Sequence, residues 1–186
     1  MRCVSAEHRI EEIIKKSRFI GVITPGLTEQ AALQVIAQLH IEHPHASHIA
    51  FAYRVQSADG IRYRFHDAGE PSGTAGKPIY QHLEGKNLIN VVLAVIRYFG
   101  GVKLGAGGLT RAYGNAAGTV IESAAIIDYI PLHTLHLTLD YQQLQAFEYY
   151  LKKYAGIIVQ QEFTAQVQLT VELPQANVRN LLASAF

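Results

Sequence analysis

The chain has 186 residues, of which 49% are hydrophobic and 17% are charged, a composition that excludes an intrinsically disordered protein. Sixteen basic and fifteen acidic residues leave a net charge of +1, which excludes a uniformly basic nucleic-acid binder and allows only a local patch. The single cysteine, Cys3, excludes an internal disulfide framework. Because the apolar runs are short and none lies at the N-terminus, we expect a cytoplasmic protein with no membrane contact and no signal peptide.

The first third of the chain predicts a mixture of strands and helices. Residues 11–23 predict one strand, and Thr28 is a suitable N-cap for a helix that ends before Pro44. Residues 48–55 and 61–65 predict two paired strands that are joined by a short polar turn.

The middle of the chain is rich in glycine. Eleven of the fifteen glycines lie between Gly69 and Gly118. A short helix over residues 79–84 is followed by an apolar run over residues 88–99, which predicts a central strand buried on both faces. A helix over residues 109–125 comes after the next glycines.

The spacing of apolar residues changes near Pro131, where the last part of the chain begins. We therefore predict two domains, residues 1–129 and residues 130–186. Alternating and helical apolar patterns in the second domain predict the order β-α-β-β-α, which is one strand short of a ferredoxin-like unit. We expect that the chain is cut short at Phe186 or that another segment covers the open edge.

The densest chemical signal is the glycine loop, residues 100–108, which joins the predicted central strand to the following helix. Free N–H groups and the helix dipole at such a junction favour an anion, and Arg97, Lys103 and Arg111 supply positive charge beside it. The alternative is that the glycines only allow a tight turn and close helix packing, an interpretation that suits Gly114 and Gly118.

A second loop, residues 67–78 (the Asp67 loop), concentrates acids, hydroxyls and a lysine. In an active site, Asp67 or Glu70 would act as a base and Ser72 or Thr74 as a nucleophile. In a purely structural loop, these side chains would instead bond to the irregular backbone. Lys77 is followed by proline rather than serine or threonine, which argues against a P-loop NTPase.

Four histidines lie within nine residues, at His40, His43, His45 and His48. No cysteine is near them and their spacing fits no zinc finger, so we predict no metal site and no cofactor.

The two loops together resemble the IMPACT family and its bacterial YigZ branch. The resemblance also includes segments near Arg18 and His48 and covers nearly the whole chain. It implies an α+β protein in which the first domain resembles the second domain of the small-subunit ribosomal protein numbered five. The second domain would resemble the last domain of elongation factor G without its final strand. His66 and Ala68 depart from the usual residues at the start of the Asp67 loop, which weakens an acid–base role there.

The resemblance implies a translation-associated regulatory protein that binds RNA or the ribosome without catalysis, because eukaryotic relatives regulate translation. The surface that would contact nucleic acid or another anion comprises Lys15, Lys16, Arg18, Lys77, Arg97, Gly100, Gly101, Lys103, Gly105, Gly107, Gly108 and Arg111. The accompanying motif residues are His48, Asp67, Glu70, Ser72 and Thr74.

Two alternatives remain open. One is an enzyme that acts on a small phosphorylated or carboxylated ligand in a pocket formed by both loops. The other is a protein-interaction module that regulates translation through protein partners. In either case we predict that the two loops converge at the end of the central strand, where ligands of α/β sheets commonly bind.

Overall fold

A computed structural model describes all 186 residues, which divide into two compact units, Met1–Tyr129 and Ile130–Phe186. Both units mix strands and helices, as predicted. None of the helices has the combined length and apolar character that crossing a membrane requires.

The first unit is built on a five-stranded sheet. Its elements are Arg2–Val4 (β1), His8–Ile14 (β2), Ser17–Pro25 (β3), Glu29–Glu42 (α1), His48–Ser57 (β4), Gly60–His66 (β5), Gly76–Gly85 (α2), Val91–Tyr98 (β6), Gly105–Ser123 (α3) and Ile126–Asp128 (β7). The sheet order is β2-β3-β6-β4-β5, with every neighbouring pair antiparallel, and β1 pairs with β7. The predicted central position of the strand that precedes the glycine loop is confirmed.

Strand β6 supplies side chains to two separate cores. Leu93 and Val95 pack on the face covered by α2 and α3, whereas Val92 and Ala94 pack on the face covered by α1. Since successive side chains of a strand point to opposite faces, this double burial explains the unbroken apolar run.

Helices α2 and α3 lie close together because α3 carries glycines where they meet. A Cβ atom on Gly118 would lie 3.2 Å from the His82 ring, and one on Gly114 would lie 3.5 Å from it. The packing interpretation of these two glycines is confirmed.

The single strand predicted over residues 11–23 is wrong, since the structure has the hairpin β2–β3 there. Lys15 and Lys16 form its two-residue turn with φ angles of 45° and 65°. Such turns are normally marked by Asn-Gly or Asp-Gly, because both residues need positive φ. Two lysines are not a typical turn sequence, so the turn could not be predicted from the sequence.

The second unit is a three-stranded sheet with two helices. Its elements are Leu132–Leu139 (β8), Tyr141–Lys153 (α4), Ile157–Phe163 (β9), Val167–Pro174 (β10), a 3-10 turn at Gln175–Asn177, and Val178–Ala185 (α5). The predicted order β-α-β-β-α is confirmed, and the antiparallel sheet order is β8-β10-β9. Its core packs Phe147, Leu151 and Leu181 of the helices against alternate side chains of β10.

Candidate anion-binding site

The two loops meet at the C-terminal end of β6, so their predicted convergence is confirmed. Arg97, near that end, places Nη1 2.6 Å from Oε1 of Glu70 in the Asp67 loop. The side chains of the pair are only 5% and 4% exposed. A buried ion pair therefore fastens one loop to the strand that leads into the other.

Two more side chains converge on the Glu70 carboxylate. The Tyr113 hydroxyl of α3 donates to Oε1 at 2.8 Å, and Nε2 of His48 lies 3.6 Å from the same oxygen. Nδ1 of His48 lies 2.8 Å from the carbonyl oxygen of Ala68, which orients the ring. Burial, followed by the bond to Glu70, raises the pKa of Tyr113, so its hydroxyl is a neutral donor.

Asp67 organises its own loop. Its carboxylate accepts backbone N–H bonds from Gly73, Ala75 and Gly76, at 2.9, 3.1 and 2.8 Å. Burial opposes ionisation of this group, but the three bonds outweigh it and lower the pKa of Asp67. The Thr74 hydroxyl likewise donates to the Pro71 carbonyl at 2.6 Å, so both side chains bond to the loop backbone, as the structural interpretation of this loop expects.

The first half of the glycine loop packs against the Lys15–Lys16 turn. A Cβ atom on Gly100 would collide with the carbonyl group of Lys16, so only glycine fits there. The Ser17 hydroxyl oxygen accepts from the Gly100 N–H at 3.3 Å and from Arg97 at 3.4 Å. The two lysines thus lie beside the glycine loop.

The second half of the glycine loop forms the first turn of α3. No side chain caps this helix and no acidic residue lies in its first turn, so its N–H groups and dipole attract anions. The guanidinium of Arg111 folds back over this turn, with Nη1 3.4 Å from where a Cβ atom of Gly107 would be. A Cβ atom on Gly108 would lie 3.1 Å from that of Leu104, and Gly101 and Gly105 have φ angles of 86° and 74°.

A cavity of about 400 Å³ opens between the two loops. Its charged and polar lining residues are His48, Glu70, Arg97 and Lys103, and its apolar ones include Phe99, Leu104 and Leu109. The first turn of α3 lines it through Gly105 and Ala106.

The predicted cationic residues differ in exposure and in whether they are paired with an acid. Lys15, Lys16 and Lys103 are exposed, whereas Arg18 is exposed but bonded to Glu11. Arg97 does not belong to the exposed patch, because it is buried and its guanidinium bonds to Glu70; it lines the cavity instead.

Several of the predicted residues lie outside the cavity lining, among them Lys77 and Ser72. Lys77 is exposed in the first turn of α2, and Ser72 is exposed in the Asp67 loop. Neither lines the cavity.

Tyr113 is the site residue that the sequence analysis missed. It was hidden among the small apolar residues of one helix face, where a buried hydroxyl is unusual. Because a buried tyrosine hydroxyl normally has a hydrogen-bond partner, that position was a usable signal.

The loops that build this site also identify the family. Residues 15–121 match the model of the Impact N-terminal domain, which covers more than half of the chain. The chain belongs to the IMPACT family. Residues 137–184 match a second model, described as a domain of unknown function, DUF1949.

Individual relatives agree with this membership. The chain is 35% identical to IMPACT family member YigZ of Escherichia coli strain K12, over 94% of this chain and 86% of the relative. It is 35% identical to IMPACT family member YvyE of Bacillus subtilis strain 168, over 88% of this chain and 74% of the relative. A crystal structure described as that of an hypothetical protein has a TM-score of 0.74 and 34% identity, and the match covers 98% of this chain and 89% of that one. The resemblance to the YigZ branch is confirmed.

Proposed function

We propose that this IMPACT-family protein regulates translation by binding RNA, either free or in the ribosome, through a cationic surface and without catalysis. The cationic surface comprises Lys15, Lys16, Lys103, Arg111 and the first turn of α3. One observation carries the proposal: both carboxylates of the Asp67 loop are held by internal bonds, to backbone N–H groups and to Arg97, while these cations remain exposed. The site therefore presents positive charge to a ligand, although the chain is nearly neutral.

The domain resemblances support the place of action that we propose. The family resemblance implies that residues 1–129 are similar to a domain of a small-subunit ribosomal protein and residues 130–186 to a domain of elongation factor G. Both kinds of protein work on RNA in the cytoplasm, where we propose that this protein acts. Because a shared fold does not determine function, the argument depends on the cationic surface.

Salt dependence tests the proposal directly. We expect the affinity for RNA, measured by fluorescence anisotropy, to fall as salt rises, because cations that contact phosphates displace counterions. Lys103→Gln and Lys16→Gln should each weaken binding to all RNA sequences and flatten the logarithmic salt slope by about one. Lys86→Gln is the matched control, since Lys86 is exposed at the end of α2, away from the cationic surface.

The alternatives make different predictions in the same assay. If Lys103→Gln and Lys16→Gln bind RNA like Lys86→Gln, the cationic surface is not the RNA site and the proposal fails. If the wild-type protein binds no RNA even at low salt, a protein-interaction module becomes the better hypothesis.

A further inference from the structure

The cavity beside the cationic surface has the size and lining of a small-ligand site. Its volume of about 400 Å³ lies within the range of roughly 300–1,000 Å³ that such sites occupy. We propose that it binds one unpaired nucleotide of an RNA strand. Its phosphate would lie at Lys103 and the first turn of α3, and its base against Phe99. This inference rests on the proposed function and narrows the ligand to single-stranded RNA.

The phosphate end is supported by two independent features. The uncapped first turn of α3 reaches the cavity through Gly105 and Ala106, beside the exposed Lys103. Arg97 also lines the cavity, is 5% exposed, and has an Nε atom that is buried without a hydrogen-bond partner. A buried donor without a partner is costly, so Arg97 has hydrogen-bonding capacity beside the cavity that no protein atom uses.

The net charge of the residues that line the cavity is positive, which favours an anion. Glu70 is the one carboxylate among the lining residues, and Arg97 offsets it. Lys103 then remains as uncompensated positive charge.

Glu70 can also contribute a hydrogen bond to a ribonucleotide. The bonds from Arg97 and Tyr113 both reach Oε1, which leaves Oε2 as an acceptor. A ribose hydroxyl or a base amino group can donate to such an oxygen, and the 2′-hydroxyl distinguishes RNA from DNA.

The base end is formed by Phe99 at the rim. This ring is 50% exposed, and the Arg97 guanidinium lies 5.5 Å from its centroid. Bases stack on exposed aromatic rings only when they are free of a duplex, because paired bases already stack on one another. The cavity therefore predicts a preference for single strands.

The test compares a single RNA strand of about 12 nucleotides with the duplex of the same length. We expect the wild-type protein to bind the strand more tightly than the duplex, measured by fluorescence anisotropy at one salt concentration. Phe99→Ala should weaken binding of the strand about tenfold and leave binding of the duplex unchanged. Phe163→Ala is the matched control, because Phe163 is 54% exposed but lies in the second unit.

A second measurement uses AMP as the probe of the cavity itself. We expect isothermal titration to detect AMP with wild-type protein, more weakly with Phe99→Ala and with Lys103→Gln, and inorganic phosphate to bind less tightly than AMP. Circular dichroism checks that both variants remain folded.

The outcomes separate this inference from the proposed function. Equal binding of strand and duplex, unaffected by Phe99→Ala, would overturn the nucleotide cavity and leave the RNA-binding surface standing. Binding of neither RNA form at low salt would overturn both. Tighter binding of a carboxylate such as N-acetylphenylalanine than of AMP would also overturn the inference, and would favour an enzyme for small carboxylated ligands.

Discussion

Glu70 and Arg97 hold two opposite charges inside the first unit, where burial limits the screening of both charges by water. Removing one partner leaves an uncompensated buried charge, a change that costs about 3–5 kcal/mol in comparable pairs. Replacing both with uncharged residues avoids that cost, so the two substitutions should not be additive. The pair thus couples the stability of the fold to the geometry of the site.

We expect Glu70→Gln to lower the free energy of unfolding by about 3 kcal/mol, because Arg97 is left without its counter-ion. The double variant Glu70→Gln, Arg97→Met should recover a substantial part of that loss. Urea denaturation measures both, with Glu42→Gln as the control: it removes one partner of the exposed Arg9–Glu42 pair and should cost less than about 1 kcal/mol. Strict additivity of the Glu70 and Arg97 substitutions would contradict a coupled pair.

At the scale of elements, the β2–β3 hairpin combines a conformational cost with a proposed binding role. Both lysines of its turn have positive φ, which costs an ordinary residue about 1 kcal/mol or more. Asn and Gly tolerate that conformation but carry no charge.

Replacing Lys15 and Lys16 with Asn and Gly should therefore raise the free energy of unfolding by about 1 kcal/mol and weaken RNA binding. The companion variant Lys15→Gln, Lys16→Gln removes the same charges without favouring the turn. It should weaken RNA binding equally and leave stability nearly unchanged. Thermal unfolding and anisotropy separate the two effects, and unchanged RNA binding in both variants would remove the hairpin from the cationic surface.

The same elements show what sequence patterns can predict. The central position of β6 and the order of the second unit followed from apolar periodicity, which depends directly on burial. The Lys15–Lys16 turn could not be predicted from the sequence, because lysine has no preference for the positive φ angles of such a turn. The convergence of the two loops was predictable from the strand that leads into one of them. The inward direction of Arg97 was not, because it depends on Glu70, which is distant in sequence.

At the scale of the whole molecule, the two units differ in how much apolar surface they bury. The first unit has two cores on opposite faces of its sheet, whereas the second has one smaller core on one face. Small cores stabilise less, and β8 pairs with β10 on one side only.

Hydrogen exchange should reflect this difference. We expect the amides of β8, β9 and β10 to lose protection before those of β6, because opening the second unit exposes less apolar surface. Mass spectrometry of exchanged peptides measures both regions in one sample. Equal protection in a monomer would mean that the three-stranded sheet is as stable as the first unit.

The close fit of Gly100 against the Lys16 carbonyl also has a consequence for proteolysis. Trypsin cleaves after lysine, but it must first draw several residues around the bond into an extended form. The Lys15–Lys16 turn is exposed yet too tight to extend while β2 and β3 remain paired and Gly100 covers its backbone. Cleavage there consequently reports local separation of these strands. Although both lysines are exposed, trypsin should cut the peptide bonds that follow them no faster than β2 and β3 separate.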